Sequence, residues 1–476
     1  MDEGKSEHAV VPMNPGNDRL ARTRGREGRA ECTDSSGRST AETLSSGPVE
    51  WRLRRIAQLT RAQPQRAWSS LHHVIDIELL REAHRRTRKD GATGVDGQTA
   101  HEYAKDLEGN LESLLARFKR GTYRAPPVRR VLIPKGDGRM RPLGIPTYED
   151  KILQRAVLMV LEAVYEPQFV RGSYGFRRGR SAHQAVSAIW QSTMDVDGGW
   201  VLDADIEKFF DSISHEHLER ILDERVTDGV LRRALRQWLK AGVLQAGALA
   251  PTDEGTPQGG VISPLLANIF LHHVLDEWFA REVASRLLGR AELVRYADDF
   301  VIVFERGEDA QRVFAVLGKR FDKFGLRLHP DKTRLLRFGR PGPKNGPKGP
   351  GSFDFLGFTF RWVRARSGQW VVAHTTARSR FTRALSRIRD WCRAHMHDPI
   401  AEQHRALCAK LHGHYGYFGV RGNSDRVGDY LYEVRRAWFR ALVRRSGKKH
   451  LVWPRFAAIL ERLPLPAARL AAAVPR

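Results

Sequence analysis

Residues Arg295 to Phe304 read RYADDFVIVF, with two adjacent carboxylates, Asp298 and Asp299, set between an aromatic residue and a run of β-favouring apolar residues. Carboxylates side by side repel, so a chain that keeps them at the mouth of a buried strand needs a counter-charge there, most simply a divalent metal. The flanks predict a hairpin, with Leu293 to Tyr296 as one strand, Phe300 to Phe304 as the next, and the two acids at the turn. Aspartate is also common in solvated hairpin turns, so a second acidic strand is what gives the pair its meaning. In DADIEKFFD, Asp203 and Asp205 share one face because strand side chains alternate with period two, and either can meet the hairpin acids across neighbouring strands. Two or three carboxylates so placed suit two Mg²⁺ ions roughly 3.5 to 4 Å apart, which activate an attacking hydroxyl and stabilise a departing pyrophosphate. Spacing alone leaves Asp203 and Asp205 equivalent.

The rest of the chain supplies a partner for such chemistry. It carries 80 Lys and Arg against 55 Asp and Glu, a formal net charge of +25, which favours a polyanion, nucleic acid before an anionic membrane face. Its 476 residues, 41% of them hydrophobic, suffice for several domains with cores of their own. Cys32, Cys392 and Cys408 are far apart and form no CxxC pair, so neither a disulfide framework nor a cysteine-rich zinc site is expected. No apolar run approaches the roughly 18 to 20 residues that cross a bilayer, and the N-terminus lacks a signal-peptide core, so a cytoplasmic location is expected.

Pattern changes divide the chain into four. Residues 1–48, rich in Gly, Ser, Thr, Arg and Glu, are expected to be disordered. Residues 49–120 read as helices interrupted by the Gly-rich turn KDGATGVDGQT. Residues 121–374 mix strands and helices: VRRVLIP and MRPLGIP form a hairpin around Lys135-Gly136-Asp137-Gly138, WVLDADI is a strand, and LLANIFLHHVLDEWFARE is a helix entered through TPQGGVISP. Residues 375–476 are helical and basic. The fold class expected is α+β, with helical units at both sides of a mixed core.

These motifs resemble the reverse transcriptases and maturases encoded by group II introns, and the resemblance covers nearly everything from Gly91 onward. RYADDFVIVF looks like the Y-x-D-D palm motif and DADIEKFFDSI like its partner strand. The resemblance implies a right hand of fingers, palm and helical thumb, with Asp205, Asp298 and Asp299 as ligands of two Mg²⁺ ions and Asp203 and Asp211 in support. Phe210 would stack under the incoming sugar and block a 2′-hydroxyl. Lys135 and Arg141 match the finger residues that hold the incoming triphosphate, a role that suits two cations on a hairpin. TPQGGVISPLLANIF would set Gln258 near the nascent pair and let the backbone of Gly259 and Gly260 approach the primer-template duplex. Lys332, in LRLHPDKT, matches a lysine that protonates the pyrophosphate leaving group, and FDFLGF, Phe353 to Phe358, a primer-grip strand.

Beyond the palm, LHGHYGYFGV, Leu411 to Val420, is similar to the maturase or thumb signature of the same family. The helical arginines Arg380, Arg383, Arg387 and Arg393, joined to Tyr415, Tyr417 and Phe418, would then contact intron RNA through phosphates and unstacked bases. The zinc-binding cysteine pairs of an HNH nuclease are missing from the sequence, so the resemblance is to members lacking that domain. The implied function is RNA-directed DNA synthesis from dNTPs on the intron RNA and its DNA target, together with assistance to splicing. Two other functions use the same motifs: a splicing-only RNA-binding maturase, and a related reverse transcriptase domesticated or recruited to defence or CRISPR spacer acquisition.

Overall fold

The computed structural model describes residues 47–134, 140–241, 243–245, 248–250, 259–342, 351–446 and 451–470. Most of the segment expected to be disordered, residues 1–46, lies outside the described residues, as do the hairpin tip Lys135 to Gly138 and Gln258. Helix α1 (Pro48–Ala62) opens on a proline in its first turn, where the missing N–H has no partner to lose. Then come α2 (Ile77–Arg86), the short α3 (Ala100–Tyr103), α4 (Leu107–Arg120) and α5 (Tyr148–Tyr165). Asp76, Thr99, Asp106 and Thr147 each cap one of the last four by accepting from a backbone N–H of its first turn. Helix α5 is buried nearly all round, most completely over its apolar run from Ala156 to Leu161.

Strands β1 (Val128–Pro134) and β2 (Met140–Ile145) form the first hairpin, Arg129 opposite Ile145 and Pro134 opposite Met140. After α6 (Ala182–Asp195) comes β3 (Trp200–Ala204), then α7 (His215–Asp223) and α8 (Gly229–Leu239). Two short strands that the sequence pattern did not suggest, β4 (Val243–Gln245) and β5 (Ala248–Ala250), extend the first sheet in the order β2-β1-β4-β5. Helix α9 (Ser263–Leu271) runs on into wider π-helical winding over His272–Glu277 and Phe279–Val283.

The central sheet follows. Strands β6 (Ala291–Tyr296) and β7 (Asp299–Phe304) make the expected hairpin, and β8 (Arg334–Arg337), reached through α10 (Gly307–Asp322), completes the order β6-β7-β3-β8, all antiparallel. A third sheet holds β9 (Phe353–Phe355), β10 (Phe358–Arg364) and β11 (Trp370–Thr376). FDFLGF is therefore a tight hairpin, not one strand, because Leu356 (φ 49°) and Gly357 (φ 82°) both turn left-handed. The chain ends in α11 (Arg378–Ala394), α12 (Ile400–Phe418), α13 (Ser424–Ser446) and α14 (Trp453–Arg462), which share an apolar core of their own around Leu407, Leu411, Val434 and Trp438. Helices and mainly antiparallel sheets together give the α+β class. Among the described residues no helix is long and apolar enough to cross a membrane, and Cys392 and Cys408 are free thiols.

Candidate active site

The middle position of β3 in its sheet assembles the acidic site. Ala204, its last residue, stands opposite Phe300 of β7, so the chain leaving β3 at Asp205 runs beside the turn that carries Asp298 and Asp299. The turn itself is two residues long, Ala297 and Asp298, between the paired Tyr296 and Asp299. Ala297 has φ 58°, a conformation that an L side chain adopts only at a cost of roughly 1 to 2 kcal/mol, so something other than local preference holds the turn. Asp299 still reaches solvent, yet burial against the surrounding protein, then Asp298, Asp205 and Asp203, pushes its pKa up to about 7. Asp298 is also raised, by burial first and then by Asp205, with Arg141 and Lys332 pulling it back. Three carboxylates are thus electrostatically coupled.

Asp205 meets a cation directly. Its Oδ2 accepts from Lys332 Nζ at 2.5 Å, and its backbone carbonyl accepts from His329 N at 2.8 Å, which ties the loop bearing Lys332 to the end of β3. Asp203, two residues earlier, accepts from Arg334 Nε of β8 at 3.1 Å, and burial, only partly offset by Arg334, raises it to about 6. The two aspartates that spacing left equivalent thus differ in partner, Arg334 of β8 for Asp203 and Lys332 of the loop before β8 for Asp205. Among the described residues no group of three or more His, Cys, Asp or Glu side chains is gathered tightly enough to hold a metal ion, and Lys332 stands on one of the three acids concerned. Hard carboxylate oxygens under mutual repulsion are nonetheless the donor chemistry that Mg²⁺ takes.

The other predicted residues fall in several places. Phe210 is half-buried in the tight turn Phe209–Asp211, beside the fully packed Phe209 and five residues beyond Asp205. Arg141 is exposed on β2, and its charge reaches Asp298. Lys135 and Gln258 lie outside the described residues. Gly259 (φ 116°) has an intramolecular reason for lacking a side chain: a Cβ there would stand 2.6 Å from the Gly144 carbonyl oxygen of β2. Gly260 is buried beside it.

Arg380 and Arg387 are exposed on α11 and Arg383 half-exposed, whereas Arg393 is paired with Asp390 on its own helix. Tyr415 corrects the expectation of a ring offered to RNA: it is 5% exposed, and its hydroxyl donates to the Pro466 carbonyl at 3.2 Å. Tyr417 is half-buried, stacked on Phe358, with its hydroxyl donating to Leu356 O at 2.8 Å and its own carbonyl 2.7 Å from His183 Nε2. It joins the helical unit to the third sheet.

Two buried polar clusters brace the site, and neither is apparent from motif reading. Asp150 accepts from Tyr123 Oη, from Trp238 Nε1 at 2.9 Å and from Gln154 Nε2 at 3.0 Å, while Gln154 Oε1 takes the Val261 N–H at 2.8 Å and so anchors the chain after Gly260. Arg295 of β6 is fully buried and makes five hydrogen bonds. They run from Nε and Nη2 to the two oxygens of Asp276 (2.8 and 2.5 Å), from Nη1 to Asn268 Oδ1 (3.0 Å) and Ala297 O (2.9 Å), and from Nη2 to Ser173 Oγ (2.8 Å). A charged residue between the apolar Val294 and Tyr296 of β6 was the one available signal.

Residues 133–360 match the family described as Reverse transcriptase (RNA-dependent DNA polymerase). The chain is 33% identical over 360 residues to Protein YkfC of Escherichia coli (strain K12), a match covering 68% of this chain and 91% of that protein. It is 35% identical over 249 residues to Group II intron-encoded protein LtrA of Lactococcus lactis subsp. cremoris, covering 49% of this chain and 40% of LtrA. Over 208 residues it is 32% identical to Nuclear intron maturase 4, mitochondrial, of Arabidopsis thaliana, covering 43% of this chain and 23% of that protein. The chain thus spans less than half the length of the latter two.

Proposed function

Since the chain belongs to the group II intron reverse transcriptase and maturase family, we propose that it copies intron RNA into DNA and binds that RNA to assist splicing and mobility. The observation that carries this reading is the coupled set of Asp205, Asp298 and Asp299 where β3 ends beside the β6–β7 turn. We read β1 and β2 as fingers, the central sheet as palm, the third sheet as primer grip, and α11 to α14 as thumb and maturase domain. In residue numbers the division is 49–120 for the N-terminal extension, 121–374 for fingers and palm, and 375–476 for the thumb.

Asp205, Asp298 and Asp299 would hold two Mg²⁺ ions, which supply charge neutralisation for the attacking 3′-hydroxyl and the departing pyrophosphate. The remaining work falls to the chain. Arg141, with Lys135, neutralises the triphosphate of the incoming dNTP. Phe210 packs against its sugar and leaves no space for a 2′-hydroxyl. Lys332 Nζ, charged and already at the acidic site, gives its proton to the leaving pyrophosphate oxygen. Gln258 lies near the nascent pair, and Gly259 and Gly260 keep the backbone close to the duplex. The arginines of α11 take phosphates of the intron RNA, and DNA target and primer complete the partners. The cytoplasm, where RNA, dNTPs and Mg²⁺ meet, is the compartment that fits.

Primer extension on poly(rA)/oligo(dT) tests the reading. The wild-type chain should incorporate dTTP in the presence of Mg²⁺ and Asp298→Ala should not. Intron-RNA binding without any extension by the wild type would leave an RNA-binding maturase and remove the polymerase.

A further inference from the structure

Arg295 poses a question that the catalytic reading does not absorb. It stands two positions before the acidic turn, is 0% exposed, and its guanidinium spends all five N–H donors on acceptors from four residues in three separate segments. Asp276, equally buried, takes two of them and cancels the charge, so the cage as a whole is neutral. None of its five hydrogen bonds goes to the Asp298 or Asp299 carboxylate, and the one that reaches the turn is to a backbone oxygen, Ala297 O. What the cage supplies is therefore geometry.

The bond to Ala297 O has a specific consequence. That oxygen belongs to the planar peptide unit whose other end is the N–H and Cα of Asp298. Holding the oxygen sets the plane, and the plane sets the direction from which the Asp298 side chain departs. The turn needs such a hold. Ala297 is left-handed at φ 58°, and the two acids that follow repel each other, so both local preference and electrostatics oppose the arrangement.

The supports of the guanidinium come from outside the hairpin. Ser173 lies in the segment Gly172–Gly175, which pairs with β6: Arg295 N donates to Gly172 O and Tyr174 N to Arg295 O, both at 2.8 Å. Gly175 approaches the turn so closely that a Cβ there would stand 2.2 Å from Ala297 N, and its carbonyl accepts from Asn268 Nδ2 at 2.7 Å. Asn268 and Asp276 sit eight residues apart on one helix. Uniform α winding would leave them about 80° out of line. The wider π turns over His272–Glu277 take up that difference, so both side chains reach the same guanidinium.

We propose that Arg295 is a positioning residue for the acidic turn: through Ala297 O it fixes the peptide that carries Asp298, while Asp276, Asn268 and Ser173 hold the guanidinium at the required place. The proposal rests on the reading of Asp298 and Asp299 as catalytic acids. Lysine at this position would keep the charge but could not span the five acceptors.

Two variants of the full chain, Arg295→Lys and Ser173→Ala, test it in three measurements. Pre-steady-state primer extension gives a burst amplitude, which counts active molecules, and a burst rate, which reports chemistry per active molecule. Hydrogen exchange read on the peptide spanning the turn reports geometry without any need for activity. Arg295→Lys should lower the burst rate roughly 100-fold, the scale of an ångström of misplacement. Ser173→Ala, which removes one acceptor of the cage, should lower it several-fold. In both, the turn amides should exchange faster while those of α10 do not. A reduced amplitude or melting temperature with an unchanged burst rate and unchanged turn exchange would leave the cage a core ion pair and overturn the proposal. If Arg295→Lys does not fold, Ser173→Ala decides by the same criteria. If the wild-type chain extends no primer, the polymerase reading fails by itself, and the exchange measurement still decides whether the cage holds the turn.

Discussion

Lys332 Nζ lies 2.5 Å from Asp205 Oδ2 although 127 residues of chain separate them. A cation thus already stands on the acid that ends β3, held there by a loop whose backbone is tied to the same aspartate through His329 N. The pair puts the Lys332 amine beside the carboxylates, where the proposed reaction would use it as a proton donor.

Lys332→Arg should preserve the contact with Asp205 but remove the proton, because a guanidinium does not titrate in the working range. Extension should slow roughly 100-fold or more while primer-template affinity stays nearly constant. Single-turnover rates beside primer-template binding check this, and an Arg variant within twofold of wild type would remove the proton-donor role.

Asp298→Ala and Asp299→Ala should each abolish cDNA synthesis and leave intron-RNA affinity nearly intact, since loss of a metal ligand affects the chemistry more than it affects phosphate contacts. Filter binding run beside primer extension separates the two. Extension retained at even about a tenth of the wild-type rate would contradict a role that each 1.4 kcal/mol of lost stabilisation should express tenfold.

Phe210 is half-buried, packed on one side against the core, where its neighbour Phe209 is fully buried. Phe210→Val should raise the relative kcat/KM for CTP over dCTP by roughly tenfold for each 1.4 kcal/mol of exclusion lost. Single-nucleotide incorporation beside a thermal melt checks it. Unchanged sugar selectivity with a lowered Tm would make Phe210 a packing residue.

For α11, RNA affinity should fall by on the order of 10³ between about 50 and 200 mM salt if about six phosphates are contacted. Replacing Arg380, Arg383 and Arg387 together by Ala should flatten that slope and weaken intron binding more than extension on a generic primer-template. Arg393, already paired with Asp390, should contribute less than the other three. Equal loss of binding and extension would make α11 an ordinary thumb helix.

His414, stacked on Tyr430 with ring centroids 3.6 Å apart, has its pKa lowered to about 4 by burial. The unfolded chain takes up the proton near 6.5 and the folded chain only near 4, so this group's contribution to stability is complete above about pH 6.5 and lost as pH falls toward 4. The loss should amount to a few kcal/mol at most, localised in the C-terminal helices. His414→Phe should flatten the decline in a melt followed by hydrogen exchange on α12 and α13, and an unchanged pH slope would assign it to other groups.

Period-two alternation and the paired acids made the β6–β7 hairpin, β3 and their proximity legible, because these depend on patterns within a few residues. The β9–β10 turn escaped because Leu356 and Gly357 interrupt an apolar run with φ values that only the folded chain displays. Tyr415 was read as a stacking ring from its type, and its burial under Pro466 depends on a contact 51 residues away. Arg295 looked like any strand arginine. Its acceptors come from residues 173, 268, 276 and 297, and no local pattern announces such a convergence.

The π-helical stretch after α9 also constrains how this chain can change length. A surface loop absorbs an added or deleted residue by bulging. Between Asn268 and Asp276 the same event would turn every later side chain by about 100° around the helix and carry the carboxylate away from its guanidinium. Insertions and deletions that the loops tolerate should therefore be intolerable here, and a deletion scan across residues 272–276 should show a sharp trough in cDNA yield. The helix acts as a ruler whose graduations are single residues.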